Sequence, residues 1–186
     1  MLRGSCKKTR VIPVEKDKKY LNLGCGKDLR NGWVNVDIQK HVGIQKSFDI
    51  EVYPYPFKDN EFDYILVDNV LEHILRIPPL IDELYRIAKP NAIIHIVVPY
   101  FNCAAAYNDP THYHFFNKRT MELLFGKGSS YGLEKGVRFE IVKLSLEPTP
   151  PGKIILPFIR EPLSFVLGSL IATIECKARV IKGRKL

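Results

Sequence analysis

An α/β fold follows from three features of the sequence. Short β-type runs alternate with helical stretches and turns along the chain. One run, Ala92-Ile93-Ile94-His95-Ile96-Val97-Val98, is apolar on both faces, as the central strand of a covered sheet is. A short apolar strand, Tyr20-Leu21-Asn22-Leu23, passes directly into the turn Gly24-Cys25-Gly26.

The elements are expected in the following order. After the first strand, residues 33–37 read as a second strand, reached through only six residues, 27–32. A parallel crossover normally takes a dozen residues or more. Either a single helical turn suffices there, or the two strands are not simple parallel neighbours. Residues 48–50 are expected as a short third strand and residues 62–68 as a fourth, entered through the turn-forming Lys58-Asp59-Asn60. Leu80, Ile81, Leu84, Ile87 and Ala88 recur at helical spacing and predict a helix over 79–89, stopped by Pro90-Asn91. The strand 92–98 follows, then a short helix over 120–125. Residues 138–147 and 173–182 alternate in the manner of strands. Between them lies the apolar segment 154–172, interrupted by Pro157, Arg160, Glu161 and Pro162, with its uninterrupted part about half the roughly 20 residues a spanning helix needs. It is expected as a buried or partly covered helix packed on the domain, with peripheral membrane contact as the minor alternative.

The chain of 186 residues is 46% hydrophobic and 26% charged, which suits one soluble domain and excludes bulk disorder. Its net charge of +8 is uneven: residues 1–20 carry seven Lys/Arg against two acids, and residues 173–186 five against one. The body is therefore nearly neutral, and the organisation expected is a basic segment 1–19, a domain over 20–182 and a basic tail 183–186. Basic ends can dock on nucleic acid or an anionic surface, but more often they are solvated. The four cysteines, Cys6, Cys25, Cys103 and Cys176, are far apart and form no C-x-x-C pair, which fits a reducing cytoplasm. No apolar stretch of signal-peptide type follows the basic residues 1–10.

Several residues carry chemistry. Gly24-x-Gly26 lets backbone approach a ligand closely, but Leu29 stands where a dinucleotide fingerprint needs its third glycine. Asp37 ends the second strand, where a carboxylate can accept both hydroxyls of a ribose or simply cap the next segment. Asp49 ends the third, within reach of an exocyclic amine. Three such positions on successive strand ends are more specific than any one alone. After the strongest strand comes Asn108-Asp109-Pro110-Thr111-His112-Tyr113-His114-Phe115-Phe116, which gathers an acid, two histidines and three aromatic rings. His112 and His114 with Asp109 hint at a metal, but no fourth ligand stands at a sensible spacing and none is expected. His73 reads as structural and His95 as a satisfied core histidine.

Leu21-Asn22-Leu23-Gly24-Cys25-Gly26, Val36-Asp37-Ile38, the run from Tyr55 to Asp63, Leu71-Glu72-His73 and the run from Glu83 to Pro90 together resemble the class I S-adenosylmethionine-dependent methyltransferases, nearest the small type 11 group. The resemblance implies a single-domain Rossmann-like sheet of seven strands, mostly parallel with an antiparallel last strand, and a reduced helix after the first. It implies S-adenosylmethionine as cofactor. Gly24, Cys25 and Gly26, with Asn22 beneath them, would line its methionine part, Asp37 and Ile38 the ribose, Asp49 and Ile50 the adenine, and Asp68 and Asn69 the sulfonium. Asn22 departs from the family's usual Asp or Glu.

Methyl transfer needs an aligned nucleophile and a place for its proton. His112 is the expected base, oriented by Asp109, with Phe115 and Phe116 as pocket walls. The expected acceptor is a small molecule or glycan-type hydroxyl. Asp68-Asn69-Val70-Leu71 lacks the prolines of amino-methylating nucleic-acid enzymes, and Cys103 is only a loose match to a cytosine-attacking thiol, so a nucleic-acid substrate is not favoured. The rival from another class is a non-catalytic cofactor-binding module that docks through its basic ends.

Overall fold

A computed structural model describes residues 11–126 and 139–182. Part of the basic segment 1–19, the tail 183–186 and the expected strand start at Arg138 lie outside the described residues. The elements are β1 (Tyr20–Leu23), β2 (Val34–Asp37), β3 (Lys46–Ser47), β4 (Phe62–Asp68), α1 (Ile77–Ile87), β5 (Ala88–Pro99), α2 (Ala104–Tyr107), α3 (Lys118–Phe125), β6 (Phe139–Pro148), α4 (Pro157–Leu167) and β7 (Ile171–Val180), with 3₁₀ turns at Leu71–His73 and Pro151–Ile154.

The strands form one seven-stranded sheet in the order β3-β2-β1-β4-β5-β7-β6. The β1–β2, β2–β3, β1–β4 and β4–β5 pairs are parallel, and β7 runs antiparallel to both β5 and β6. The order reverses at β1, so the carboxyl ends of β1 and β4 flank the switch point where open α/β sheets bind ligands.

The short β1–β2 link is resolved in favour of simple parallel neighbours: Leu21 pairs with Val34 and Leu23 with Val36. The crossover contains no helix, not even a reduced one. Tight turns accomplish it, with Gly24, Gly26 and Gly32 all at positive φ.

One face of the sheet carries the main core. Leu80, Ile81, Leu84 and Ile87 of α1, together with Met121 and Phe125 of α3, pack there against Ile65, Val67, Ile94 and Ile96. On the other face Tyr20, Trp33 and Leu66 form a separate cluster with Ile12 and Tyr64 beside it. His95 belongs to that second side. It is satisfied as expected, with Tyr64 Oη at 2.7 Å from Nδ1 and Glu175 Oε1 at 3.1 Å from Nε2.

Three expectations are corrected. The third strand forms at Lys46–Ser47 rather than 48–50, because Phe48 and Ile50 turn inward to pack on the core while Asp49 caps a turn. Helix α1 ends at Ile87 and the chain is already extended at Ala88, so β5 includes Pro90 and a left-handed Asn91 before its regular pairing with β4. In 154–172 Leu170 and Ile171 are buried, but the apolar residues of α4 are largely uncovered. In α4 only Ser164 is buried, while Phe158, Phe165 and Val166 are 75%, 62% and 80% exposed. Polar contacts tie this helix down instead: Arg160 donates to the carbonyls of Gly152 and Ile155, Asn102 donates to Ser164, and Lys118 pairs with Glu161. No described helix is long and apolar enough to cross a membrane.

Candidate active site

The site grows from the carboxyl ends of β1, β2 and β4. Gly24, at φ +68°, packs so closely on Val70 that a Cβ there would come within 2.4 Å of a Val70 methyl. Two residues on, at Gly26, an added Cβ would meet nothing within 4 Å. The turn is therefore pinned on its inner side and open on its outer side. Asp37 shapes it further: one carboxylate oxygen accepts from the Gly26 N–H at 2.7 Å and the other from the Gln39 N–H at 3.1 Å. A carboxylate has about four acceptor sites, so these contacts leave capacity for hydroxyl donors. Asp37 is thus a turn brace with acceptor capacity to spare.

Asn22 is almost fully buried, and its amide donates to the Asp28 carbonyl at 2.7 Å and to Asn35 Oδ1 at 3.1 Å. Its side chain braces the 24–33 link from beneath. Cys25 is buried and its thiol is pushed up to about 11, by burial first and then by the Asp37 carboxylate, so it stays protonated. Cys103 is also raised by burial and donates to the Ala172 carbonyl at 3.2 Å, a poor setting for a nucleophile.

Asp49 and Ile50 lie in the loop after β3, where Asp49 is exposed and the Ile50 carbonyl accepts from Tyr55 Oη at 2.6 Å. Ile38 is exposed. Residues of α1 hold this loop in place. Glu83 accepts from the Tyr55 N–H at 2.6 Å, and Arg86 pairs with Glu83 at 2.6 Å and with Asp59 at 2.7 Å while donating to the Phe57 carbonyl. That lattice gives a physical reason for the paired motifs around Tyr55 and Glu83. At the end of β4, Asp68 accepts from the Asn69 amide at 2.7 Å, and Asn69 sits at φ +53°.

The 109–116 segment meets the same edge. Backbone N–H groups of Tyr113 and His114 donate to the Glu72 carbonyl, joining the segment to the turn Leu71–His73 that follows Val70. His112 and His73 come together, ring centroids 4.6 Å apart, His73 lying three residues beyond the Val70 on which Gly24 packs. Asp109 reaches Thr111 rather than His112: its carboxylate accepts from both the Thr111 N–H and hydroxyl. Those two bonds hold the Asp109 carboxyl below its ordinary value. His73 lies below the usual imidazole range, through burial and the neighbouring His112. Sequence reasoning missed Glu72 and His73 as partners of His112. The residues are nearly forty positions apart, and only the docking of the loop onto the turn brings them together.

Phe115 and Phe116 wall a different space. With Leu75, Ile77, Pro79 and Leu124 they line a cavity of about 630 Å³ between the start of α1 and α3, with His114 on its rim.

The methyltransferase-domain family of type 11 matches residues 21–96, from β1 through the main part of β5. Those residues carry a methyltransferase domain of the type 11 kind. Enzymes of this family take their methyl group from S-adenosylmethionine. The solved structures agree in fold. The YcgJ protein of Bacillus subtilis superimposes with TM-score 0.58 at 14% identity, covering 90% of this chain and 93% of its own. An S-adenosylmethionine-dependent methyltransferase from Mesorhizobium loti gives TM-score 0.58 at 13% identity, covering 87% and 90%. Phosphoethanolamine N-methyltransferase 2 of Haemonchus contortus, solved with S-adenosyl-L-methionine, gives 0.60 at 17% identity, covering 92% of this chain and 50% of its own. No curated protein matches the sequence. The strand order and the open outer side of the glycine turn fit a nucleoside ligand laid across β1, β2 and β4.

Proposed function

We propose that this methyltransferase transfers a methyl group from S-adenosylmethionine to a hydroxyl of a small-molecule or glycan-type acceptor, in the cytoplasm. The observation that supports the reading is the meeting of His112 with His73, where the backbone bonds from Tyr113 and His114 to Glu72 join their segment to the turn after Val70.

In this reading Gly24, Cys25 and Gly26 bound the methionine part and Asp37 with Ile38 receives the ribose. Asp49 and Ile50 border the adenine, and Asp68 with Asn69 stands beside the sulfonium. The cofactor supplies an already activated methyl group, so the chain has to orient the acceptor and manage one proton. His112 suits that task. Its Nδ1 lies 2.9 Å from the Ala106 carbonyl, which can only accept, so Nδ1 carries the proton and Nε2 the lone pair. Asp109 is a positioning residue that acts through Thr111 on His73.

Support for a small acceptor comes from the nearly neutral body of the chain and from the apolar cavity beside His114, whose size suits a small ligand. The buried thiols of Cys25, Cys103 and Cys176 are free, in keeping with a reducing compartment.

The test is methyl transfer from radiolabelled S-adenosylmethionine to a panel of hydroxyl acceptors. His112→Ala should cut turnover roughly 10²–10⁴-fold and leave cofactor affinity nearly intact. Normal turnover in that variant would reduce the segment to a brace. One-to-one cofactor binding with no transfer to any acceptor would favour a non-catalytic binding module.

A further inference from the structure

Glu72, His73 and His112 each offer one ligand atom, and these atoms all lie within 4.8 Å of one another. Glu72 is buried, and the two histidines are half-buried. Two imidazoles and one carboxylate are the donor set of catalytic divalent transition-ion sites, which keep positions open for water or substrate.

The hydrogen bonds behind the rings suit the same purpose. Thr111 donates its hydroxyl proton to Asp109 at 2.7 Å, so Thr111 Oγ1 acts as acceptor toward His73 Nδ1 at 2.9 Å. His112 Nδ1 donates to the Ala106 carbonyl. Both rings are therefore fixed in the tautomer that leaves the lone pair on Nε2. Outer partners of this kind, a backbone carbonyl for one ring and a carboxylate-backed hydroxyl for the other, orient imidazoles for metals. Around an ion bound at about 2.0–2.2 Å, neighbouring donors sit roughly 3–3.5 Å apart, so closure asks for side-chain movements on the order of 1 Å. The backbone is already in place through the bonds from Tyr113 and His114 to the Glu72 carbonyl.

We infer that Glu72, His73 and His112 form a divalent transition-metal site of the zinc class, at which the acceptor's hydroxyl oxygen takes an open position. The binding claim stands on this geometry alone, whereas the ion's role rests on the methyl-transfer reading above and deepens it. An oxygen on the ion loses its proton to water more readily. The oxygen–carbon bond then forms as the methyl–sulfur bond breaks, with the electron pair passing to sulfur. With the ion bound, His112 holds it through Nε2 and water takes the proton; the base role given to His112 above belongs to the ion-free chain.

The test uses the full chain stripped with EDTA and titrated with Co²⁺ alone, followed by visible absorption and calorimetry, with Zn²⁺ as competitor. One ion should bind per chain, and His73→Ala and His112→Ala should each weaken binding at least tenfold. His114→Ala, in the same segment, should not. Urea midpoints of the variants establish that they fold; both altered histidines are partly exposed, so replacing them removes little packing. Absence of saturable binding, or binding that neither substitution weakens, overturns the site. Chelation then separates role from function: transfer that survives EDTA overturns the ion's part and leaves His112 as a base. Stoichiometric Co²⁺ binding in a chain that does not bind S-adenosylmethionine keeps the site and overturns the functional reading.

Discussion

The contact between Gly24 and Val70 offers a sharp test of how the glycine turn is held. Replacing Gly24 with alanine imposes two separable costs. A left-handed backbone at φ +68° is unfavourable for any residue with a Cβ, by about 1–2 kcal/mol. The new methyl would also sit 2.4 Å from Val70 Cγ2, inside a packed core, and overpacking of that kind typically adds about 1–3 kcal/mol. Together the loss is about 2–5 kcal/mol, a large share of the roughly 5–15 kcal/mol that holds a domain folded. Gly26→Ala is the internal control. Its φ is also positive, at +50°, but its Cβ would meet nothing within 4 Å, so only the backbone cost of about 1–2 kcal/mol remains. Urea unfolding monitored by circular dichroism measures both variants. Val70→Ala combined with Gly24→Ala completes a double-mutant cycle, and a coupling of about 1 kcal/mol or more is expected, since the two side chains would compete for one space. Equal losses in the two glycine variants, or additive effects in the cycle, would refute the claim that Val70 clamps the turn.

Other outcomes follow from the same geometry. Asp37→Ala should weaken S-adenosylmethionine binding by about 1.5–3 kcal/mol in calorimetry, the worth of hydrogen bonds to a charged acceptor; wild-type affinity would remove Asp37 from the ribose site. Glu175 is held down to about 2, chiefly by its hydrogen bond with His95, against an ordinary value of 4.5. A depressed carboxylate stabilises the fold above its unfolded value and loses that contribution as pH falls toward its folded one. The urea midpoint of the wild type should therefore exceed that of Glu175→Gln at neutral pH, and the gap should close between about pH 4.5 and pH 2. A constant gap would show that the pair is held by shape rather than charge. The exposed apolar residues of α4 should not anchor the chain irreversibly: with vesicles, any pelleting should be released by high salt, and pelleting that resists salt would show insertion.

Legibility in the sequence tracked how local each cause was. Strand β4 was readable to the residue, because Phe62–Asp68 is a short, mostly apolar run of strand-forming residues bounded by turn chemistry. The glycine turn was readable because a short apolar strand runs straight into it. Helix α3 begins two residues earlier than its apolar spacing suggests, and the cause is a capping box in which Asn117 accepts from the Thr120 N–H and Thr120 Oγ1 accepts from the Asn117 N–H. That signal is local and was available as Asn-x-x-Thr. The outward face of α4 was not legible, since an apolar composition says what a helix prefers and not what the rest of the chain leaves available to cover it. Nor was the meeting of His73 with His112. It depends on a backbone carbonyl at Glu72 receiving two N–H groups from a distant loop, and backbone acceptors leave no trace in residue identity.

Between Gly24 and Glu61 the described chain forms no helix, and the strands it contributes are the four residues of β2 and the two of β3. Elements that bury little and pair briefly open at low free-energy cost, so amide protons of Val34–Asp37 and Lys46–Ser47 should exchange well before those of β4 and β5. Asp37 and Asp49 both belong to this loosely held margin. A ligand spanning it at a hundred times its dissociation constant would raise the cost of opening by about 2.7 kcal/mol. The margin thus works as a gauge: occupancy would be recorded as slowed exchange in the outer strands, without any lid having to swing or any domain to close.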